Sequence, residues 1–142
     1  GNRLLLVATQ NHLYSWPVDS LMSHHMKDNA PPPPDMSFLH DGPVLSARFS
    51  LGGAVLGIQR TLTDIEFINR SNGSEFWQRC RKTDRLLGFF WVSVPNVDCV
   101  LVTTAGLEMF QLLPGNNGLK LVEFKKHTCT WYNYTHETRL VL

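Results

Sequence analysis

Two carboxylates invite a chemical reading first. Glu66 and Glu108 stand in near-copies of one phrase, Asp64-Ile-Glu-Phe-Ile68 and Gly106-Leu-Glu-Met-Phe110. A pair of carboxyl groups with unequal pKa values can share general acid–base work. Strand alternation, however, turns each one away from the side taken by its apolar neighbours, Ile65 and Phe67 or Leu107 and Met109. Equivalent positions in successive repeats are copies of one another and do not face each other. A structural role is the expectation for both.

Metal and thiol chemistry fare no better. Of the six histidines, His24 and His25 are adjacent and point to opposite sides of an extended segment. His12, His40, His127 and His136 are scattered over turns and strand ends, without the spacing of a zinc site. The three cysteines, Cys80, Cys99 and Cys129, each fall in a predicted strand of a different repeat. An odd number without a Cys-x-x-Cys pair suits reduced core residues in a cytosolic protein better than disulfides or zinc. There is no Gly-x-Ser-x-Gly elbow, no phosphate-cradling glycine loop and no His-Glu-x-x-His. The chain is expected to be no enzyme, with no catalytic, cofactor-binding or metal-binding residue, and no partner-binding residue stands out.

Other features take the plain reading. Asn69-Arg-Ser71, Asn72-Gly-Ser74 and Asn133-Tyr-Thr135 match the glycosylation triplet and are read as unused. Arg79, Arg81, Lys82 and Arg85, then Lys125, Lys126 and His127, follow predicted outer strands. Charge there guards against edge-to-edge pairing. The alternative is a surface for an acidic protein or an anionic headgroup, and the lipid version is weakened because the Phe-Arg-Arg-Gly motif of phosphoinositide-binding propellers is absent.

The elements that carry these residues are short strands. Val44–Ser50, Ala54–Arg60, Asp64–Ile68 and Glu75–Cys80 are rich in β-branched and aromatic side chains and are separated by Gly, Asn, Asp or Ser. The unit recurs. Thr61–Ile68 aligns with Thr103–Phe110 at a spacing of 42, and Phe49 falls on Trp91 at the same spacing. Asn72-Gly73 falls near Asn117-Gly118, which predicts turns at both. Thr9–Trp16 matches the same octet at a spacing of 52, and Thr130–Thr135 resembles a first strand.

Four strands in each repeat of about 40–45 residues are the mark of propeller blades. The fold class is all-β, a WD-like β-propeller fragment of four-stranded antiparallel blades, two complete and two partial. One N-terminal propeller domain covers 1–142, with blades near 1–18, 43–82, 85–127 and 128–142. In this reading Arg3–Thr9 and His12–Val18 are the last two strands of the first blade. Phe49, Ile65, Phe67, Trp91 and Leu107 are the expected core. Residues 19–42, with Pro31–Pro34, form an irregular connection, since four prolines cannot join a sheet interior. A closed ring needs four to eight blades, so the native protein is expected to continue beyond Leu142.

Composition sets the outer limits. The chain has 142 residues, 43% hydrophobic and 18% charged, with a formal net charge of +1. That is ordinary for a globular domain and gives no global field for nucleic acid, a membrane surface or acidic substrates. No apolar run approaches the ~18 residues of a bilayer span. His40-Asp-Gly-Pro-Val44 resembles the opening of a WD-type repeat, but the closing Trp-Asp is missing.

Specific phrases go further. Val55–Arg60, Ile65–Phe67, Leu86–Trp91, Gly106–Phe110, Leu119–Val122 and Trp131–Arg139 resemble one family: the regulator subunit of the Mon–Ccz complex, also called the colon-cancer-associated Mic protein, near its N-terminus. The similarity runs from Asn2 to Leu142 and is weakest in the Pro-rich stretch. Leu86–Trp91 and Trp131-Tyr132 carry it most specifically, and the ending looks plant-like. The resemblance implies a WD-like propeller followed by a helical region, with the Mon and Ccz proteins as partners. It further implies a part in guanine-nucleotide exchange on the late-endosomal Rab GTPase, in endosome maturation and autophagy. Cofactors, nucleic acid and small-molecule substrates are not implied. Membrane association would be peripheral, through the complex, on late endosomes, lysosomes or the vacuole.

Overall fold

A computed structural model describes residues 4–8, 12–17, 22, 33, 36–39, 43–81, 84–135 and 139–141. Their elements are all strands of antiparallel sheets. The chain divides into two compact units, Gly1–Val44 and Leu45–Leu142.

The first unit holds β1 (Leu4–Ala8), β2 (His12–Pro17) and β3 (Met36–Leu39), paired in the order β1-β2-β3. Here the structure departs from expectation. Met36–Leu39 lies in the stretch read as irregular, yet it pairs with His12–Ser15. β2 is therefore a middle strand and not the last of its blade. The octet alignment already equates Thr9–Trp16 with the third strand of the later repeat, which agrees with a fourth strand following it. The proline run at 31–34 hides this because it masks a pairing partner lying just beyond it. Pro33 is the one proline of the run among the described residues.

The second unit contains two four-stranded sheets. β4 (Ser46–Phe49), β5 (Val55–Gln59), β6 (Asp64–Asn69) and β7 (Glu75–Arg79) form one meander. β8 (Leu86–Val94), β9 (Val97–Thr103), β10 (Gly106–Leu112) and β11 (Leu119–Lys126) form its copy. A short pair, β12 (Asn133–Thr135) and β13 (Arg139–Val141), begins the next. This is the blade architecture that the repeat predicts, two complete blades and partial ones.

The recurring octet has a physical basis in its threonine. Thr61 Oγ1 accepts the amides of Thr63 and Asp64 at 3.2 and 3.1 Å. Thr103 Oγ1 accepts those of Ala105 and Gly106 at 3.2 and 3.1 Å. One hydroxyl thus closes the turn before each third strand by the local side-chain bonding that threonine favours in turns. The far turns differ. Gly73 adopts φ 74° as its Asn-Gly pair predicts, but in the second blade Gly115 (φ 81°) and Asn116 (φ 54°) take the left-handed positions. The expected turn at Asn117-Gly118 is displaced by two residues. β11 also carries a bulge opposite Met109/Phe110.

The core lies between the two sheets. Val55, Ile65 and Phe67 of one meet Phe89, Trp91, Cys99, Leu101 and Phe110 of the other. Phe67 stacks on Phe76 at 4.9 Å and meets Trp91 edge-on at 5.7 Å. Such pairs add roughly 0.5–1.5 kcal/mol beyond burial alone. Gly57 admits this packing, because a β-carbon there would stand 2.6 Å from Phe89 Cε2. On its other side, the second sheet buries Phe90, Val100, Val102 and Leu107 against Tyr132 and Tyr134. Of the expected core residues, Ile65, Phe67, Trp91 and Leu107 are buried. Phe49 is only half-buried, with the Arg70 guanidinium 5.6 Å above its ring.

Candidate functional site

The structure does not bring Glu66 and Glu108 together as a pair. They occupy equivalent positions on equivalent faces of β6 and β10, both buried. Glu66 accepts an ion pair from Arg60 at 3.3 Å. The residue equivalent to Arg60 in the second blade is Val102. Glu108 instead receives the backbone N–H of Arg81, and its Oε2 has no hydrogen-bond partner among the described residues. Burial pushes the Glu108 carboxyl above its ordinary pKa, with Asp84 adding repulsion. Alternation revealed which way each side chain points. It did not reveal that the glutamate side of β6 and β10 would be buried as well.

Thiol chemistry is similarly suppressed. Cys80, Cys99 and Cys129 are free and buried. Cys99 lies in β9, whereas Cys80 and Cys129 fall just past strand ends, against expectation. Their thiols donate to the carbonyls of Asp84 and His127, both at 3.3 Å. Burial raises the pKa of all three, most strongly at Cys99. A thiol held protonated is a poor nucleophile and a poor metal ligand. Among the described residues no three His, Cys, Asp or Glu side chains converge as a metal site would require. His127 is exposed. His24, His25, His40 and His136 lie outside the described residues.

An open cleft of about 490 Å³ is lined by Thr63, Arg79, Cys80 and Arg81. Its groups are already engaged. Arg79 Nε donates to Asp64 Oδ1 at 2.9 Å, and this bond holds the Asp64 carboxyl below its ordinary pKa. Thr63 donates to the other oxygen at 2.8 Å. The Arg81 guanidinium lies 4.2 Å over the Phe124 ring, joining the end of β7 to β11. Lys82 lies outside the described residues.

The rival reading of the sequence, a propeller enzyme or lectin with its site at the central channel, would need polar groups converging from several first strands, where Ser46, Arg48, Ser93 and Asn133 stand. Arg48 instead links the blades. The Arg48 carbonyl accepts the Trp91 indole N–H at 3.0 Å. The Arg48 side chain hydrogen-bonds the Tyr132 hydroxyl, which in turn donates to the Phe89 carbonyl at 3.4 Å. Tyr132 has its pKa raised by burial, and Arg48 opposes that shift. Ser93 and Asn133 are exposed. Sequence reasoning missed these links. Trp91 and Tyr132 lie one repeat apart, and that spacing was the available signal. The arrangement joins blade to blade.

No helix among the described residues is long and apolar enough to cross a membrane, which says nothing about strands. A family model described as "Regulator of MON1-CCZ1 complex, N-terminal" matches residues 1–119. A mouse (Mus musculus) protein named "Regulator of MON1-CCZ1 complex" is 32% identical over 105 residues, 71% of this chain and 16% of its own length. The human (Homo sapiens) protein of the same name is 33% identical over 105 residues, with the same coverage. A Dictyostelium discoideum homologue is 33% identical over 75 residues, 51% of this chain and 8% of its own. The chain thus spans 16% of the length of the mammalian relatives. With the family model covering most of its residues, the chain belongs to the Regulator of MON1-CCZ1 complex family, through that family's N-terminal region.

Proposed function

We propose that this chain is a non-catalytic scaffold segment of a regulatory subunit, and that the full protein joins the Mon and Ccz proteins. The observation that carries the reading is the family match over residues 1–119. The relatives' printed name supplies the partners. The structure is compatible with that role. Its buried carboxylates and thiols serve packing, and its conserved geometry from blade to blade supports a rigid body for docking. In this reading the complex acts as exchange factor for the late-endosomal Rab GTPase, in endosome maturation and autophagy. The protein is cytoplasmic and peripheral on late endosomes, lysosomes or the vacuole.

The test is affinity capture from cell lysate with the full-length protein, with and without residues 1–142, read by mass spectrometry. Recovery of the Mon and Ccz proteins that depends on this segment supports docking through it. Recovery without the segment moves docking elsewhere in the protein. Failure to recover either protein overturns the assignment and leaves the blade architecture standing.

A further inference from the structure

One end of the second unit combines two features that packing within the unit does not require. A trail of backbone hydrogen bonds defines that end. Leu45 N donates to Gln59 O, Leu86 N to Leu62 O, Thr104 N to Arg85 O, and Cys129 N to Thr104 O. Leu45, Leu62, Arg85 and the residues following Cys129 therefore share the side where the Thr61 and Thr103 turns lie. β11 ends there too, since Lys125 and Lys126 pair with Leu107 and Gly106 at the start of β10.

Three large apolar side chains are exposed at this end: Leu45 at 55%, Leu62 at 47% and Trp131 at 58%. Arg85, Lys125 and Lys126 are exposed beside them. None of these three cations has an acidic partner within ion-pair distance among the described residues, whereas Asp64 is committed to Arg79 and Glu108 is buried. Exposed leucines alone would be unremarkable. Edge protection alone would explain lysines on β11. A leucine at a turn tip, a second just before β4 and a half-exposed tryptophan, set among cations, are the composition that binds an anionic bilayer. Apolar side chains enter the headgroup boundary, tryptophan settles at the interface, and cations meet lipid charge.

We propose that this end of the blades lies on an anionic membrane surface, with Leu62 and Trp131 entering the headgroup layer and Arg85, Lys125 and Lys126 facing its charge. An acidic protein segment would use the cations but would leave Trp131 and the two leucines without a role. Among the described residues the opposite end lacks the combination: Leu51, Val94 and Leu113 are exposed there, with Lys120 as the exposed lysine nearby. The inference is independent of the Mon and Ccz assignment, because it rests only on which residues share one end.

The experiment is vesicle co-sedimentation of the full-length protein, using phosphatidylcholine vesicles with and without phosphatidylserine. Binding is expected only with the anionic lipid and should weaken as salt is raised. Lys125→Ala with Lys126→Ala should reduce partitioning about thirtyfold, since each basic residue near such a surface contributes roughly a factor of five. Trp131→Ser should reduce it as well, while Lys120→Ala at the other end of β11 should leave it unchanged. Unaltered far-UV circular dichroism and melting temperature show that the variants are folded. Equal binding to neutral vesicles would overturn the proposal. So would loss on Lys120→Ala equal to that of the double variant, or capture of an acidic peptide that needs Lys125 and Lys126 with no vesicle binding.

Discussion

The Trp91 indole N–H donates to the Arg48 carbonyl at 3.0 Å across 43 residues, and the Tyr132 hydroxyl donates to the Phe89 carbonyl at 3.4 Å across the same separation. One device therefore repeats. Trp91 on β8 and Tyr132 just before β12 each donate to the backbone of the preceding blade's first strand. The ring fills the space between sheets while its polar tip satisfies a carbonyl, which suits a large side chain with one donor. Trp91→Phe keeps most of the ring and removes the donor. It should lower stability by about 1 kcal/mol, or somewhat more where the Arg48 carbonyl is left dry. Trp91→Ala should cost roughly 3–5 kcal/mol through the cavity it opens. Urea titration of the two variants distinguishes the donor from the ring: no loss in Trp91→Phe would mean that the hydrogen bond contributes nothing, and equal losses in both would mean that the ring adds nothing beyond it.

Gly57 marks the closest approach between the two complete blades. A methyl group there would meet Phe89 at 2.6 and 2.9 Å and Phe67 at 3.1 Å. Both rings are locked in the core, so neither can move aside cheaply. Gly57→Ala should destabilise by roughly 1–3 kcal/mol even though alanine suits a strand no worse than glycine. A Gly57→Ala, Phe89→Leu double variant should recover part of that loss in the same denaturation assay.

Glu108 gives a pH signature of known sign. Its carboxyl is buried, repelled by Asp84, and holds a raised pKa in the folded protein. The folded state therefore favours the protonated form. Its contribution to stability is present in full below the unfolded carboxylate pKa and is lost as pH rises through the folded one. Glu108→Gln keeps the shape and removes the charge, so it should raise the melting temperature at neutral pH and have little effect in acid. Asp64 has the opposite sign. Arg79 lowers its pKa, so its contribution is present above the unfolded value and fades as pH falls through the folded value. Arg79 is exposed to solvent, whose screening keeps the contribution of the pair small. Melting curves of Glu108→Gln and Asp64→Asn from acid to neutral pH should therefore diverge in opposite directions.

The cysteines should be silent in the folded protein. Cys99 is wholly buried, and burial raises the thiol pKa at all three positions. Maleimide labelling under native conditions should be slow at each and become rapid in denaturant. Fast native labelling of Cys99 would mean that the interface between the two blades opens readily.

The sequence made the repeat legible because the repeat is written in side chains with local jobs. Thr61 and Thr103 close equivalent turns, Ile65 and Leu107 enter equivalent core positions, and Gly73 occupies a left-handed site. Long-range features were not legible. Met36–Leu39 joins β2 from beyond a proline run, and no local pattern announces a strand whose partner lies about twenty residues back. The shift of the second far turn to Gly115 and Asn116 accompanies a longer connection and a bulge in β11, which a fixed period does not anticipate. Alternation set the two glutamates opposite their apolar neighbours, but it carried no sign that both would be buried. Membership in the regulator family came from whole phrases such as Leu86–Trp91, and no single residue would have carried it.

The account stands on blade packing against blade through Trp91, and the state of that indole tests it most directly. The protein's four tryptophans can be followed by nitrogen-15 labelling of tryptophan alone in the full-length protein, with amide-type hydrogen exchange read at each indole. Trp77 and Trp131 are 59% and 58% exposed, whereas Trp91 is 4% exposed and hydrogen-bonded to Arg48. The Trp91 indole proton, assigned by its loss in Trp91→Phe, should exchange at least about a hundredfold more slowly than those of Trp77 and Trp131, since the interface must open before exchange occurs. Exchange at Trp91 as fast as at Trp131 would contradict the packing of these two blades and with it the scaffold on which the proposed function rests.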